Sequence, residues 1–203
     1  NQINLPQDVS PLQVAQQYLI GGTKHILVGF DHLLFITCLL FIAGGTKRLL
    51  ITITGFTLAH SITLALASLN IVRISAPLVE VLIALSIAIL AAEIIKPKTH
   101  TWTWRFPLSS ACVFGLLHGF GFASVLADLG LPHDMKINAL IFFNIGVELG
   151  QIIFIVAVIS TVNILKQMTW TKAYLGRAST VSVYTIGSIS MYWLVERCLV
   201  IIG

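Results

Sequence analysis

Three histidines, each set in an apolar stretch, are the residues of this chain best suited to chemistry: His32 in HILVGFDHLLF, His60 in FTLAHSITL and His118 in FGLLHGFGF. Asp31 precedes His32, Glu80 interrupts PLVEVLIALS, and Asn144 and Glu148 stand in FFNIGVELGQ. Imidazoles with carboxylates nearby suit a borderline divalent ion such as zinc, nickel, copper or iron better than magnesium or calcium. The same groups could instead relay protons, or serve only as hydrogen-bonding glue between helices. Which use applies depends on whether the chain brings them together, and at what depth.

The elements that carry them are apolar. Of the 203 residues, 57% are hydrophobic and 10% charged, against about a quarter charged in soluble domains. Apolar runs cover 26–43, 49–69, 76–95, 107–129, 138–163 and 180–202. Each is about 18 residues or longer, enough for a helix to cross a ~30 Å hydrocarbon core. The expected fold is all-α: a polytopic membrane protein with a bundle of about six transmembrane helices over 25–203. Ahead of it, residues 1–24 form an extracytoplasmic segment with a short interfacial helix. In that segment Ser10 is the expected N-cap, Pro11 the first helical residue, and Gly21 and Gly22 the stop. Leu12, Ala15 and Leu19 share a face, which suits a helix lying on the membrane surface. The chain opens without Met, so removal of an upstream signal or outer segment is expected.

Charge sets the orientation. The loops after the first, third and fifth runs hold eight basic residues: Lys47, Arg48, Lys96, Lys98, Arg105, Lys166, Lys172 and Arg177. The other side holds four, Lys24, Arg73, Lys136 and Arg197, diluted by Asp8, Asp128, Asp134 and Glu196. The positive-inside rule then places both termini outside the cytoplasm. This bias accounts for the net charge of +4 and calls for no nucleic acid. Trp102, Trp104 and Trp170 fall in the cytoplasmic loops, where aromatic belts are expected. Cys38, Cys112 and Cys198 lie in apolar runs without CxxC spacing and read as small buried hydrophobes. Labelling of single cysteines in intact cells checks the orientation: an impermeant reagent is expected to reach position 134 and not position 100, and the reverse pattern overturns it.

With that orientation Asp31 and His32 lie roughly 10 Å below the outer surface, at ~1.5 Å per residue. His60 and His118 fall near the middle, Glu80 about a turn below the surface, and Asn144 and Glu148 in the outer half. Polar groups at such depths turn inward and pair, or line a watery cavity. One buried polar site, open outward, is therefore expected. Its candidate metal ligands are His32, His60, His118, Asp31 and Glu148, supported by His25, Glu80, Asn144 and Gln151. Asn144, Glu148 and Gln151, at i, i+4 and i+7, stack on one helix face, and His25 and His32, seven apart, also share one. Gly115, Gly119 and Ala123 form a ladder of small residues that lets their helix approach a neighbour closely. Ser61 follows His60, but adjacent helical residues point about 100° apart, against a Ser–His nucleophile pair.

These motifs together resemble the HupE/UreJ family of hydrogenase and urease accessory membrane proteins. The likeness rests on Gly22, His25, Gly29, Asp31 and His32; FTLAHSITL around His60; VEVLIALSI around Glu80; FGLLHGFGFA around His118; and FNIGVELGQ with Asn144, Glu148 and Gln151. It covers about residues 20–155. The resemblance implies import or permeation of nickel, or of cobalt, in the service of metalloenzyme maturation. His25, Asp31 and His32 form a His-x5-Asp-His motif, similar to the His-x4-Asp-His signature of nickel/cobalt permeases with one residue more. The expected function is a transition-metal permease with no nucleotide-binding motif, its ion being nickel, cobalt or zinc, its partners the lipid bilayer and the ion, with an oligomer compatible. His32, His60 and His118 would bind the ion, Asp31 and Glu148 would supply charge, and Glu80 would accept protons. The alternative is an intramembrane zinc hydrolase with Glu80 or Glu148 as general base. A third reading is a metal-sensing or assembly protein that does neither.

Overall fold

The computed structural model describes residues 10–96, 101–121, 135–168 and 172–202. Among these residues there are eight helices and no strand: α1 (Pro11–Val28), α2 (Phe30–Ala43), α3 (Thr46–Ser68), α4 (Ala76–Ile95), α5 (Trp102–Arg105), α6 (Pro107–Gly121), α7 (Lys136–Gln167) and α8 (Lys172–Ile202). The all-α expectation holds. Four helices, α3, α4, α7 and α8, are long and apolar enough to cross a membrane, and α1 with α2 add a fifth if that bent pair counts as one span. α6 is described for 15 residues. The rest of the 107–129 run, including Ala123, lies outside the described residues, as do His100, His133, Asp134 and Trp170.

The N-terminal region departs from expectation. Ser10 does cap α1: its hydroxyl accepts from the Gln13 N–H, and the Gln13 side chain accepts from the Ser10 N–H. The helix then runs through Gly21 and Gly22 to Val28, and the break comes at Gly29, where α1 and α2 bend by 73°. The predicted single helix over 26–43 is thus two. Packing explains the difference. α1 lies along α7, with Gly22 against the Phe143 carbonyl and Gly146 against the Leu19 carbonyl, so close that a Cβ on either would strike backbone. These glycines permit close approach and do not end a helix. The buried face of α1 is Val14, Tyr18, Gly22 and Ile26; Leu12, on the face expected to bury, is 77% exposed.

A second pair is built the same way. Gly115 of α6 lies over the Phe56 carbonyl of α3 and Gly119 over that of His60, so two rungs of the predicted small-residue ladder do make the contact. In both pairs residue numbers rise together along the interface, so α1 runs parallel to α7 and α6 parallel to α3. Thr54 and Thr57 bond to Glu148 and Gln151, and Leu69 and Ile137, each more than ten residues away from that contact, still line one groove, so α3 and α7 are antiparallel. The two glycine-sealed pairs therefore run in opposite directions. Gly44, at φ 68° in the left-handed region, ends α2 and turns the chain back into α3.

At the far end of α4, Glu93 is an anchor. It accepts from the Thr103 hydroxyl at 2.6 Å and the Lys96 ammonium at 3.0 Å, while the Trp104 indole donates to its carbonyl. Arg48 donates to the Trp104 and Arg105 carbonyls and ties the same corner to α3.

Candidate metal site

The bend at Gly29 and the two glycine-sealed pairs converge on four histidines. His25 at the end of α1 and His32 at the start of α2 have ring centres 4.4 Å apart. They meet across the helix break and not along one helix face as the seven-residue spacing suggests. His32 lies 5.5 Å from His118 of α6 and 6.4 Å from His60 of α3, and His25 lies 6.1 Å from His60. Gly29 leaves no spare room here, since a Cβ would sit 2.7 Å from His32 Nδ1. The register confirms a common level: Gly150 packs on Ile26 and Gly146 on Thr23, which sets His25 beside the turn of α7 that carries Glu148.

Hydrogen bonding distinguishes the rings. Asp31 Oδ1 lies 2.9 Å from His32 Nδ1 and accepts the His32 backbone N–H at 2.8 Å, an orienting pair that leaves Nε2 pointing away. His118 Nε2 lies 3.2 Å from the Ser86 hydroxyl. His60 is 0% exposed. Among the described residues, neither of its ring nitrogens has a partner, and the same is true of His32 Nε2 and His118 Nδ1. Buried polar atoms without partners are uncommon and call for an explanation. Ser61 takes no part, because its hydroxyl donates to the Thr57 carbonyl at 2.6 Å, as the helical geometry suggested.

On one side the rings rest on a phenylalanine layer. Phe35 follows His32 by three residues, and Phe56 and Phe114 precede His60 and His118 by four. Phe35 lies 4.9 Å from Phe56 and 5.9 Å from Phe114, and all three lie toward the α2–α3 link. Phe35 and Phe56 also touch the His118 ring, at 4.9 and 5.3 Å. On the other side is a cavity of about 200 Å³ lined by His25, Asp31, His32, Glu80, His118 and Arg197. Arg197, on α8, donates to the Glu80 carbonyl at 2.9 Å. Charge bias alone groups Arg197 with the outer loops; its place inside the 180–202 apolar run is the signal that it faces the site.

Asn144 and Glu148 stand elsewhere. The Thr54 hydroxyl donates to Glu148 Oε1 at 2.6 Å, and Thr57 donates to Gln151 at 3.0 Å. Asn144 and Glu148 line a groove of about 420 Å³ between α3 and α7, which contains none of the four histidines. The expected single set thus divides into a histidine cavity and a carboxylate groove, and Glu148 belongs to the second.

The donor set suits a borderline divalent ion in kind. At a metal–nitrogen distance of about 2.1 Å, tetrahedral imidazoles place their ring centres about 5 Å apart, and the observed separations of 4.4 to 6.4 Å bracket that value. Among the described residues, however, no three or more His, Cys, Asp or Glu side chains are already arranged to hold an ion. Three donor atoms do not meet at one point in this arrangement, so the side chains must rotate to hold an ion. No curated protein and no solved structure matches the chain. The HupE / UreJ protein family model matches residues 2–197, with the broken first helix, the histidine cavity and the glycine-sealed pairs all inside the matched stretch, and the chain belongs to that family.

Proposed function

We propose that the protein is a permease for a divalent transition metal, nickel first and cobalt next, in a bacterial inner membrane with both termini outside. The ion is cargo, passed toward a metalloenzyme maturation system. The observation that carries the proposal is the set of buried ring nitrogens without partners on His32, His60 and His118. A hydrogen-bonding role leaves no reason for them, and an arriving cation supplies one. Rotation of the rings about their side-chain torsions brings those nitrogens onto the ion, while Asp31 keeps His32 in the tautomer with a free Nε2. His25 joins as a fourth imidazole. The phenylalanine layer is the closed side of the path, an apolar constriction of the kind that gates by excluding water. Glu80, in the cavity wall, accepts protons as the ion passes, and Glu148, held by Thr54 in the other groove, supplies negative charge.

The test is nickel or cobalt flux into sealed liposomes. Wild type is expected to move the ion down its gradient, and Glu148→Gln to slow the flux while leaving the amount of bound ion unchanged. Metal-loaded, folded protein that moves none of nickel, cobalt or zinc overturns the permease.

One feature favours a second reading, an intramembrane zinc hydrolase: the cavity opens away from the phenylalanine layer and has a carboxylate, Glu80, in its wall. On that reading Glu80→Gln keeps the zinc and lowers bond-cleaving turnover by roughly 10²–10⁴-fold, the loss typical of a general base.

A further inference from the structure

We propose that Arg197 is a tethered counter-cation of the histidine cavity, which an incoming divalent ion must displace. The inference rests on the cation-site reading above and assigns to α8 a part in it. Arg197 and Glu80 share the cavity wall with Asp31 and His25, His32 and His118. The guanidinium is bound loosely where it could be bound tightly. Its Nη1 donates to the Glu80 backbone carbonyl at 2.9 Å, yet its Nε stands 3.9 Å from the Glu80 carboxylate, short of a paired, bidentate contact. The Arg197 side chain is 21% exposed and that of Glu80 53%, so the carboxylate is at the mouth and the guanidinium deeper. In the same conformation the guanidinium lies over the Trp193 ring of its own helix, 5.5 Å from its centre, a contact that tethers the charge to α8.

Charge bookkeeping gives the consequence. Two carboxylates, Asp31 and Glu80, face one fixed positive charge that never deprotonates. A dication entering a cavity of about 200 Å³ meets that charge at short range, where the effective dielectric is far below that of water. The ion binds as the guanidinium lets go of the Glu80 carbonyl, still held over Trp193, and Glu80 turns to the ion. Arg197 thereby weakens binding, which favours release, and closes the cavity to monovalent cations that cannot drive the exchange.

Cobalt titration of purified full-length protein, followed by visible absorption, tests this. Arg197→Gln is expected to tighten cobalt binding by about tenfold, the size of effect expected from removing one nearby like charge. Arg197→Lys keeps the charge and stays within about twofold of wild type. Glu80→Gln leaves the arginine uncompensated and weakens binding, and the double variant returns toward wild type. A merely structural Arg197–Glu80 contact lowers the melting temperature in both single variants without these opposite shifts in affinity. Equal or weaker cobalt binding by folded Arg197→Gln overturns the inference. Should that variant not fold, unchanged or tighter binding by Glu80→Gln overturns it instead. Wild type that binds no cobalt overturns the cation-site reading and this inference together; binding without the opposite shifts overturns this inference alone.

Discussion

The His60→Leu variant is expected to unfold at a higher temperature than wild type while losing its bound cobalt or nickel. His60 is 0% exposed, and neither ring nitrogen has a partner among the described residues. Each unsatisfied buried polar group costs about 1–3 kcal/mol. Leucine fills most of the same space without polar atoms, at the loss of a ring stack on Phe56, centres 5.9 Å apart, that is worth about 0.5–1.5 kcal/mol. The balance favours leucine by about 1 kcal/mol or more, a few degrees for a chain of this size. A histidine kept as helix-to-helix glue gives the opposite result, a lower melting temperature. Thermal unfolding in detergent, followed by circular dichroism, separates the two.

Valine at Gly22 or at Gly119 is expected to abolish the folded protein. A Cβ on Gly22 lands on the Phe143 carbonyl and 2.9 Å from the Val147 nitrogen; one on Gly119 lands on Thr63 and the His60 carbonyl and 3.0 Å from the Leu64 nitrogen. Backbone cannot yield as a flexible side chain does, so α1 leaves α7, or α6 leaves α3, at a cost of about 3 kcal/mol or more. The histidines these pairs carry then lose their common level. Gly176→Ala is the control. It meets nothing within 4 Å, and in the second turn of α8 it leaves stability unchanged or improves it by up to about 1 kcal/mol. Gel-filtration profiles and melting curves of the three variants test the contrast; a monodisperse, normally melting Gly22→Val protein refutes the packing argument.

The fold class was legible because hydropathy reports burial in lipid directly: the run at 76–95 matches α4 residue for residue, and α3 and α7 fall within four residues of their predicted ends. The helix break was misplaced because glycine has two uses. Gly21–Gly22 looks like a stop and is a contact, whereas Gly29, isolated and less conspicuous, is where the chain bends. At the site, the common level of His25 and Glu148 along the bundle was legible from residue number, and the register of α1 on α7 agrees with it. Direction around each helix was not. Asn144 and Glu148 lie at the right level on a side of α7 that faces the groove with α3, and only tertiary packing fixes that rotation. Arg197 was passed over because a charge near the end of an apolar run reads as a loop charge. His25, one residue off the permease spacing, has the ring nearest to that of His32, 4.4 Å between centres, because the bend folds it back.

Cobalt binding by purified protein, read as the visible absorption of a cobalt–imidazole centre and as ions per chain, tests the central claim most directly. The account predicts about one cobalt per chain for wild type, with an intensity typical of a low-coordinate site, and none for His60→Leu. Folded wild-type protein with no stoichiometric cobalt or nickel would contradict it, and so would an unchanged spectrum in both His60→Leu and His118→Ala.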